Sequence, residues 1–177
     1  MSSRFRRALA TTLSLGLLSL MPHSASAQNA AENKALVQEM MEAVFNRHDL
    51  GKIDKVVADD YLQHNPLVPP GRAGLRSYMQ ATLAAVPDWH FELVKISAEG
   101  DMVWTYGAYI GTPTSQWGPI PPTGKPFKLV AADLWRVKDG KIVAHWDVLD
   151  IQGMLRQLGM IPPLGARPPQ APEASTK

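Results

Sequence analysis

The feature that most constrains the fold is the pair Asp139-Gly140, set between residues 131–137 and 142–149, two runs rich in β-branched and aromatic side chains. Such a dipeptide between apolar runs marks a β-hairpin, because aspartate and glycine accept the positive φ that a tight turn between twisted strands requires. Register then decides what the hairpin displays. A two-residue type I′ loop sets Lys138 against Lys141 and leaves Asp133 on the opposite face from His145 and Asp147. A type I turn with Gly140 left-handed in a bulge sets Val137 against Lys141, so that Asp133 comes opposite His145 with Asp147 beside it. The second register is the expected one. It gathers Asp133, His145 and Asp147 on one face with Trp135, Val137 and Val143, and on that mostly apolar wall two carboxylates and an imidazole can exchange protons with a bound molecule. The alternative is an edge hairpin whose charges face water.

The start of the chain reads as a cleavable leader. Arg4, Arg6 and Arg7 precede an apolar run from Ala8 to Met21, and Ala25-Ser26-Ala27 supplies a small-residue cleavage site, so residues 1–27 read as a secretory signal peptide with cleavage after Ala27. The expected location is secreted or periplasmic. No later apolar run approaches the ~20 residues that span a bilayer. The leader takes three arginines with it, leaving 15 basic against 16 acidic residues, so the mature charge balance offers nothing for nucleic acid or an acidic membrane surface. Cysteine is absent, which excludes disulfides, thiolate metal sites and cysteine nucleophiles.

Residues 28–161 are expected to form one domain. Leu36, Val37, Met40, Met41, Val44 and Phe45 recur at helical spacing over residues 31–47. A short helix is expected over residues 53–59, with Val56 and Val57 inward. Leu75, Met79, Leu83 and Val86 mark a third helix that Pro87 ends. From Trp89 the period shortens to two, and residues 89–99 and 102–112 read as long antiparallel strands. Residues 113–124, with four prolines and Trp117, form an ordered loop or lid. A closing helix covers residues 151–158, and the proline-rich residues 162–177 read as a flexible tail. Helices followed by a run of antiparallel strands make an α+β plan, a curved antiparallel sheet wrapped around N-terminal helices as a cone with a cavity at its open end.

A second polar cluster, Tyr61-Leu62-Gln63-His64-Asn65-Pro66, precedes the third helix. Extended backbone before proline points Gln63 and Asn65 one way and His64 the other, so the inward pair can orient a carbonyl or a water; a plain turn with His64 bound to backbone is the alternative. His64, His90 and His145 show no metal-ligand spacing, so no metal is expected. Neither a phosphate loop nor Gly-x-Ser-x-Gly is present. What remains is acid and base work by carboxylates and histidine. The five tryptophans suit a small hydrophobic or aromatic ligand, and ordinary core packing equally well.

From Asn33 to Gly159 the chain resembles the SnoaL-like polyketide cyclases, or predicted ester cyclases, which share the nuclear transport factor-like cone. The resemblance rests on Tyr61-Leu62-Gln63-His64-Asn65-Pro66, on the segment from Gly118 to Lys125, on the hairpin from Asp133 to Asp150, and on Gln157-Leu158-Gly159. It implies ring closure by intramolecular aldol condensation without metal or organic cofactor. Asp147 matches the family's acid/base carboxylate, with Asp133 facing the same cavity and His145 tuning or relaying protons. Tyr61, Gln63, His64, Asn65 and Trp135 are the expected substrate contacts, and a homodimer through the outer sheet face is expected. Two other readings stay open. Limonene epoxide hydrolase shares the cone, with Asn and Asp positions like Asn65 and Asp147, but it also needs an arginine and a second aspartate on the strand matching residues 103–110, where this chain has neither. A periplasmic module holding a small apolar ligand needs no chemistry at all.

Overall fold

The computed structural model describes residues 23–165. The expected leader falls largely outside that range, as does most of the expected tail. In chain order the elements are α1 (His23–Met41), a π-helical turn (Glu42–Asn46), α2 (Gly51–Val56), β1 (Val57–Gln63), α3 (Gly71–Ala85), β2 (His90–Glu99), β3 (Met102–Gly111), β4 (Phe127–Lys138), β5 (Lys141–Leu149) and α4 (Ile151–Gln157). The five strands form one open sheet in the order β1-β5-β4-β3-β2. Among the described residues no helix is long and apolar enough to cross a membrane.

The N-terminal apolar stripe does what its spacing dictates. Val37, Met40, Met41, Val44 and Phe45 are buried in the core, and Leu36 packs at its margin. The helix widens before it ends: the Arg47 amide reaches back five residues to the Glu42 carbonyl at 3.0 Å, the mark of a π turn. The second helix is shorter than expected. It stops at Val56, and Val57 opens β1, which lies parallel to β5 at the sheet edge, so the sheet is mixed rather than antiparallel throughout.

On β4 the alternation is complete. Phe127, Leu129, Ala131, Asp133, Trp135 and Val137 are buried, while Lys128, Val130, Arg136 and Lys138 face out. Asp133 is the single ionisable group among those inward residues. Gly107 on β3 lets β2 come close, for a Cβ there would lie 2.2 Å from the Glu92 carbonyl oxygen, beside the point where the β2–β3 register shifts.

The hairpin turn is the two-residue type and not the bulged turn expected. Asp139 and Gly140 both have positive φ, 50° and 69°, and Lys138 faces Lys141. The bulge lies further along. Val137 faces Ile142 but Arg136 faces Ala144, leaving Val143 unpaired, and this one extra residue changes the phase of the rest of β5. Beyond it Trp135 faces His145 and Asp133 faces Asp147. Both acids and the imidazole share the concave face, as the sequence reading required, although Asp133 is paired with Asp147 and not with His145.

Candidate active site

The concave face of the sheet, α3, α4 and the 113–124 loop enclose a cavity of about 620 Å³. Its walls are mainly apolar: Phe45, Leu75, Met79, Trp89, Leu129 and Met154 contribute, with Tyr78 and Tyr109. The loop is tied down. Its ends meet through the Gly124 amide and Pro113 carbonyl at 3.0 Å, Trp117 and Ile120 exchange backbone hydrogen bonds at 2.9 Å, and the Trp117 indole N–H donates to Thr82 Oγ1 at 3.2 Å. Trp117 stacks on Phe127 and meets Trp89 edge-on, so the loop forms a fixed aromatic wall.

Of the expected site residues, Tyr61, Gln63, Asn65, Trp135, His145 and Asp147 line this cavity. Two do not. Asp133 lies behind His145, wholly buried, where alternation along β4 set its face but not its depth. His64 points the other way along the extended chain, as the reversal at each residue requires, and stacks on Trp146 at 4.4 Å between ring centres. It is therefore withdrawn as a contact to a ligand in the cavity. Sequence reasoning also passed over Thr105 and Tyr109, which share a β3 face with Val103 and meet Asp133; that shared parity was the available signal.

Hydrogen bonds tie the polar side chains beneath the cavity into one cluster. Asp133 accepts from Thr105 Oγ1 at 3.2 Å and from the Tyr109 hydroxyl at 3.1 Å, and His145 Nε2 lies 3.2 Å from Asp133 Oδ1. The other ring nitrogen, Nδ1, lies 3.1 Å from Gln63 Oε1. The Gln63 amide cannot be turned over, because Oε1 also accepts the Asn65 backbone N–H at 3.0 Å. Both imidazole nitrogens thus face oxygens, and with Asp133 as a carboxylate both are satisfied when each carries a proton. With Asp133 ionised, the ring is held between Asp133 and Gln63 with both nitrogens engaged.

Asp147 differs. Asn65 Nδ2 donates to its Oδ2 at 2.6 Å, and Asn65 is itself held by the Leu67 amide, which donates to Asn65 Oδ1 at 2.8 Å. One carboxylate oxygen is thereby anchored while the residue borders the cavity. Burial, first, and then the charges of Asp147 and Asp133 push the Tyr61 hydroxyl far above the ordinary tyrosine range, and burial with Asp133 does the same to Tyr109. One ligand atom each from Asp133, His145 and Asp147 lies within 4.8 Å of the others. A cation there would first have to part His145 from Asp133, since those two atoms point at each other.

These features define an α+β cone whose apolar hollow is bordered by one anchored carboxylate, with the Asp133–His145 contact buried beneath it. The chain belongs to the SnoaL-like polyketide cyclase family, whose sequence model matches residues 35–158. It is 32% identical over 125 residues to the nogalonic acid methyl ester cyclase of Streptomyces nogalater, an alignment covering 67% of this chain and 92% of that enzyme. Among solved structures, TsrD from Streptomyces laurentii superposes with a TM-score of 0.66 at 30% identity, covering 72% of this chain and 98% of that one. IdmH from Streptomyces antibioticus gives a TM-score of 0.62 at 33% identity over 72% and 98% of the two chains.

Proposed function

We propose that the protein is an exported, cofactor-independent cyclase that closes a ring in a small hydrophobic carbonyl substrate by intramolecular aldol chemistry, with Asp147 as the base. The setting of Asp147 carries the reading: one oxygen is fixed by Asn65 at 2.6 Å, and the residue opens onto an apolar cavity of about 620 Å³. Asp147 takes a proton from the carbon next to a carbonyl, and the C–H pair moves to form an enolate. The enolate carbon attacks a second carbonyl of the same molecule, and the new alkoxide takes the proton back from Asp147. The product is an isomer of the substrate. Folding a flexible chain inside fixed apolar walls brings the two carbons together.

The relative from Streptomyces nogalater suggests a probe, nogalonic acid methyl ester. Asp147→Asn keeps the shape of the side chain and removes its basicity, so turnover should fall about 10²- to 10⁴-fold while binding persists. Undiminished turnover would reject the assignment. A second reading, a non-catalytic ligand-binding module, draws on the engaged nitrogens of His145; native mass spectrometry would then recover the ligand unchanged, with Asp147→Asn altering affinity alone. The epoxide hydrolase reading gains the Asn65–Asp147 contact, but the inward β3 positions carry Val103, Thr105, Gly107 and Tyr109, neither an arginine nor an aspartate.

Export rests on the pattern of residues 1–27, and an intact mass beginning at Gln28 tests it. Dimerisation through the outer sheet face is supported by its apolar character: Trp104, Tyr106 and Val148 are half or more exposed there, beside Leu134 and Trp146.

A further inference from the structure

The hydroxyl of Tyr61 stands at the cavity wall with its oxygen engaged and, among the described residues, no acceptor for its proton. Gln63 Nε2 lies 3.2 Å from the Tyr61 oxygen, and since Gln63 Oε1 is committed to the Asn65 amide and to His145, the amide must donate to Tyr61 and cannot accept from it. Tyr61 is 2% exposed and lines the cavity that Asp147 borders. No described hydrogen bond takes its proton. A buried donor left unmade is unfavourable, and fixing its oxygen as an acceptor leaves the proton a single use.

We propose that Tyr61 is a catalytic residue, the donor that holds the oxygen of the substrate carbonyl as it becomes an enolate. This rests on the aldol reading and adds to it the electrophilic half that Asp147 alone lacks. When Asp147 removes the proton alpha to the carbonyl, the electron pair of the C–H bond passes to the carbonyl oxygen, and Tyr61 shares its proton with that oxygen without giving it up. The new carbon–carbon bond then draws the pair back, the carbonyl re-forms, and Tyr61 keeps its proton, its oxygen held by Gln63 throughout. No group is oxidised or reduced. Burial makes the phenol too weak an acid to lose its proton to the enolate, so it stabilises charge rather than quenching the nucleophile. The arrangement also defines the substrate class: the carbon that is deprotonated must carry its own carbonyl on the Tyr61 side of the cavity.

The test needs no turnover. 2-Naphthol offers a hydroxyl to Asp147 and an oxygen to Tyr61 on a flat apolar body; naphthalene is the same body without the oxygen. Wild-type protein should prefer 2-naphthol, and Tyr61→Phe should cut the naphthol-to-naphthalene affinity ratio by about tenfold with naphthalene binding unchanged. Gln63→Glu is the second variant. Its carboxylate still accepts from Asn65 and His145 but now accepts from Tyr61 as well, turning the proton away from the cavity, so the ratio should fall as far with the phenol intact. No preference in the wild-type protein, or a preference that survives both changes, overturns the proposal. With nogalonic acid methyl ester, Tyr61→Phe should lower kcat about 10²-fold. Unchanged turnover in Asp147→Asn would defeat the aldol reading while leaving the affinity ratio to judge Tyr61 by itself.

Discussion

Asp133→Asn isolates one quantity, the charge beneath the site. The side chain keeps its size, and an amide can keep every hydrogen bond: its oxygen can still accept from Tyr109 and His145, and its nitrogen can donate to Thr105 Oγ1. With Asp133 ionised and the ring doubly protonated, what disappears is the negative charge facing an imidazole that is 6% exposed. The ring must then stay charged without a counterion or shed a proton and set a bare nitrogen against an acceptor oxygen. Removing one partner of a buried pair costs about 3–5 kcal/mol. For a domain of this size each kcal/mol moves Tm by about 2–4 °C, so the shift should be about 6–20 °C. Urea unfolding followed by tryptophan fluorescence measures the loss directly. Adding His145→Gln should recover part of it, because the uncompensated cation goes too, giving a coupling of at least 1 kcal/mol in the double-mutant cycle, on the order expected for contacting residues. A loss below about 1 kcal/mol without coupling would mean that a neutral acid faces a neutral imidazole, and the protonation pattern drawn from Gln63 would be wrong.

The tyrosines give a pH prediction of fixed sign. Burial first, and then nearby carboxylates, raise Tyr61 and Tyr109, and burial raises Tyr78, so tyrosinate absorbance from these three should appear only with unfolding. Each folded value lies above the ordinary 10.0; the stabilisation is therefore whole below that pH and is lost as pH rises above it, where the unfolded chain releases protons the native state keeps. Early absorbance from a folded protein would contradict this. At the outer sheet face, Trp104→Glu should convert a dimer to monomer in sedimentation analysis while leaving naphthalene binding in the cavity intact; an unchanged sedimentation coefficient would remove that face as the interface.

The sequence revealed faces better than depths. Apolar residues at helical spacing located the face of α1, and the period of two along residues 127–137 located the inner face of β4, because both patterns report which side chains meet the core. Neither pattern says how far from the cavity an inward residue lies, so the sequence sets Asp133 facing the same cavity as Asp147, and the structure has it wholly buried behind His145. β1 escaped notice for a different reason. It pairs with β5 alone, its ladder is broken between Val57 and Leu62, and Ala58, Asp59 and Asp60 are not buried, so no alternation marks it. Gln63 and Asn65 line the cavity because the extended backbone before Pro66 fixes their direction locally, a signal that does not depend on recognising the strand.

The hairpin shows why a correct face can follow from an incorrect turn. The expected bulge adds one residue to the turn on the β4 side and the observed one adds Val143 on β5; the two shift the pairing in opposite directions by one residue, and the side-chain faces come out the same because parity does not depend on which strand carries the insertion. With the type I′ turn and no bulge, Asp133 would face Trp146, and Asp147 would point to the outside. Val143 is therefore the residue that brings Asp147 into the cavity in this sequence. Deleting Val143 should leave Arg136 facing Ala144 and Asp133 facing Asp147 across a regular ladder, so ligand binding should survive with a modest loss of stability. An alanine inserted between Ala144 and His145 should instead turn His145 and Asp147 outward together, abolishing both turnover and the preference for 2-naphthol. Turnover that persists after the insertion would show that β5 absorbs an extra residue freely, and that something other than strand phase holds the acid in place.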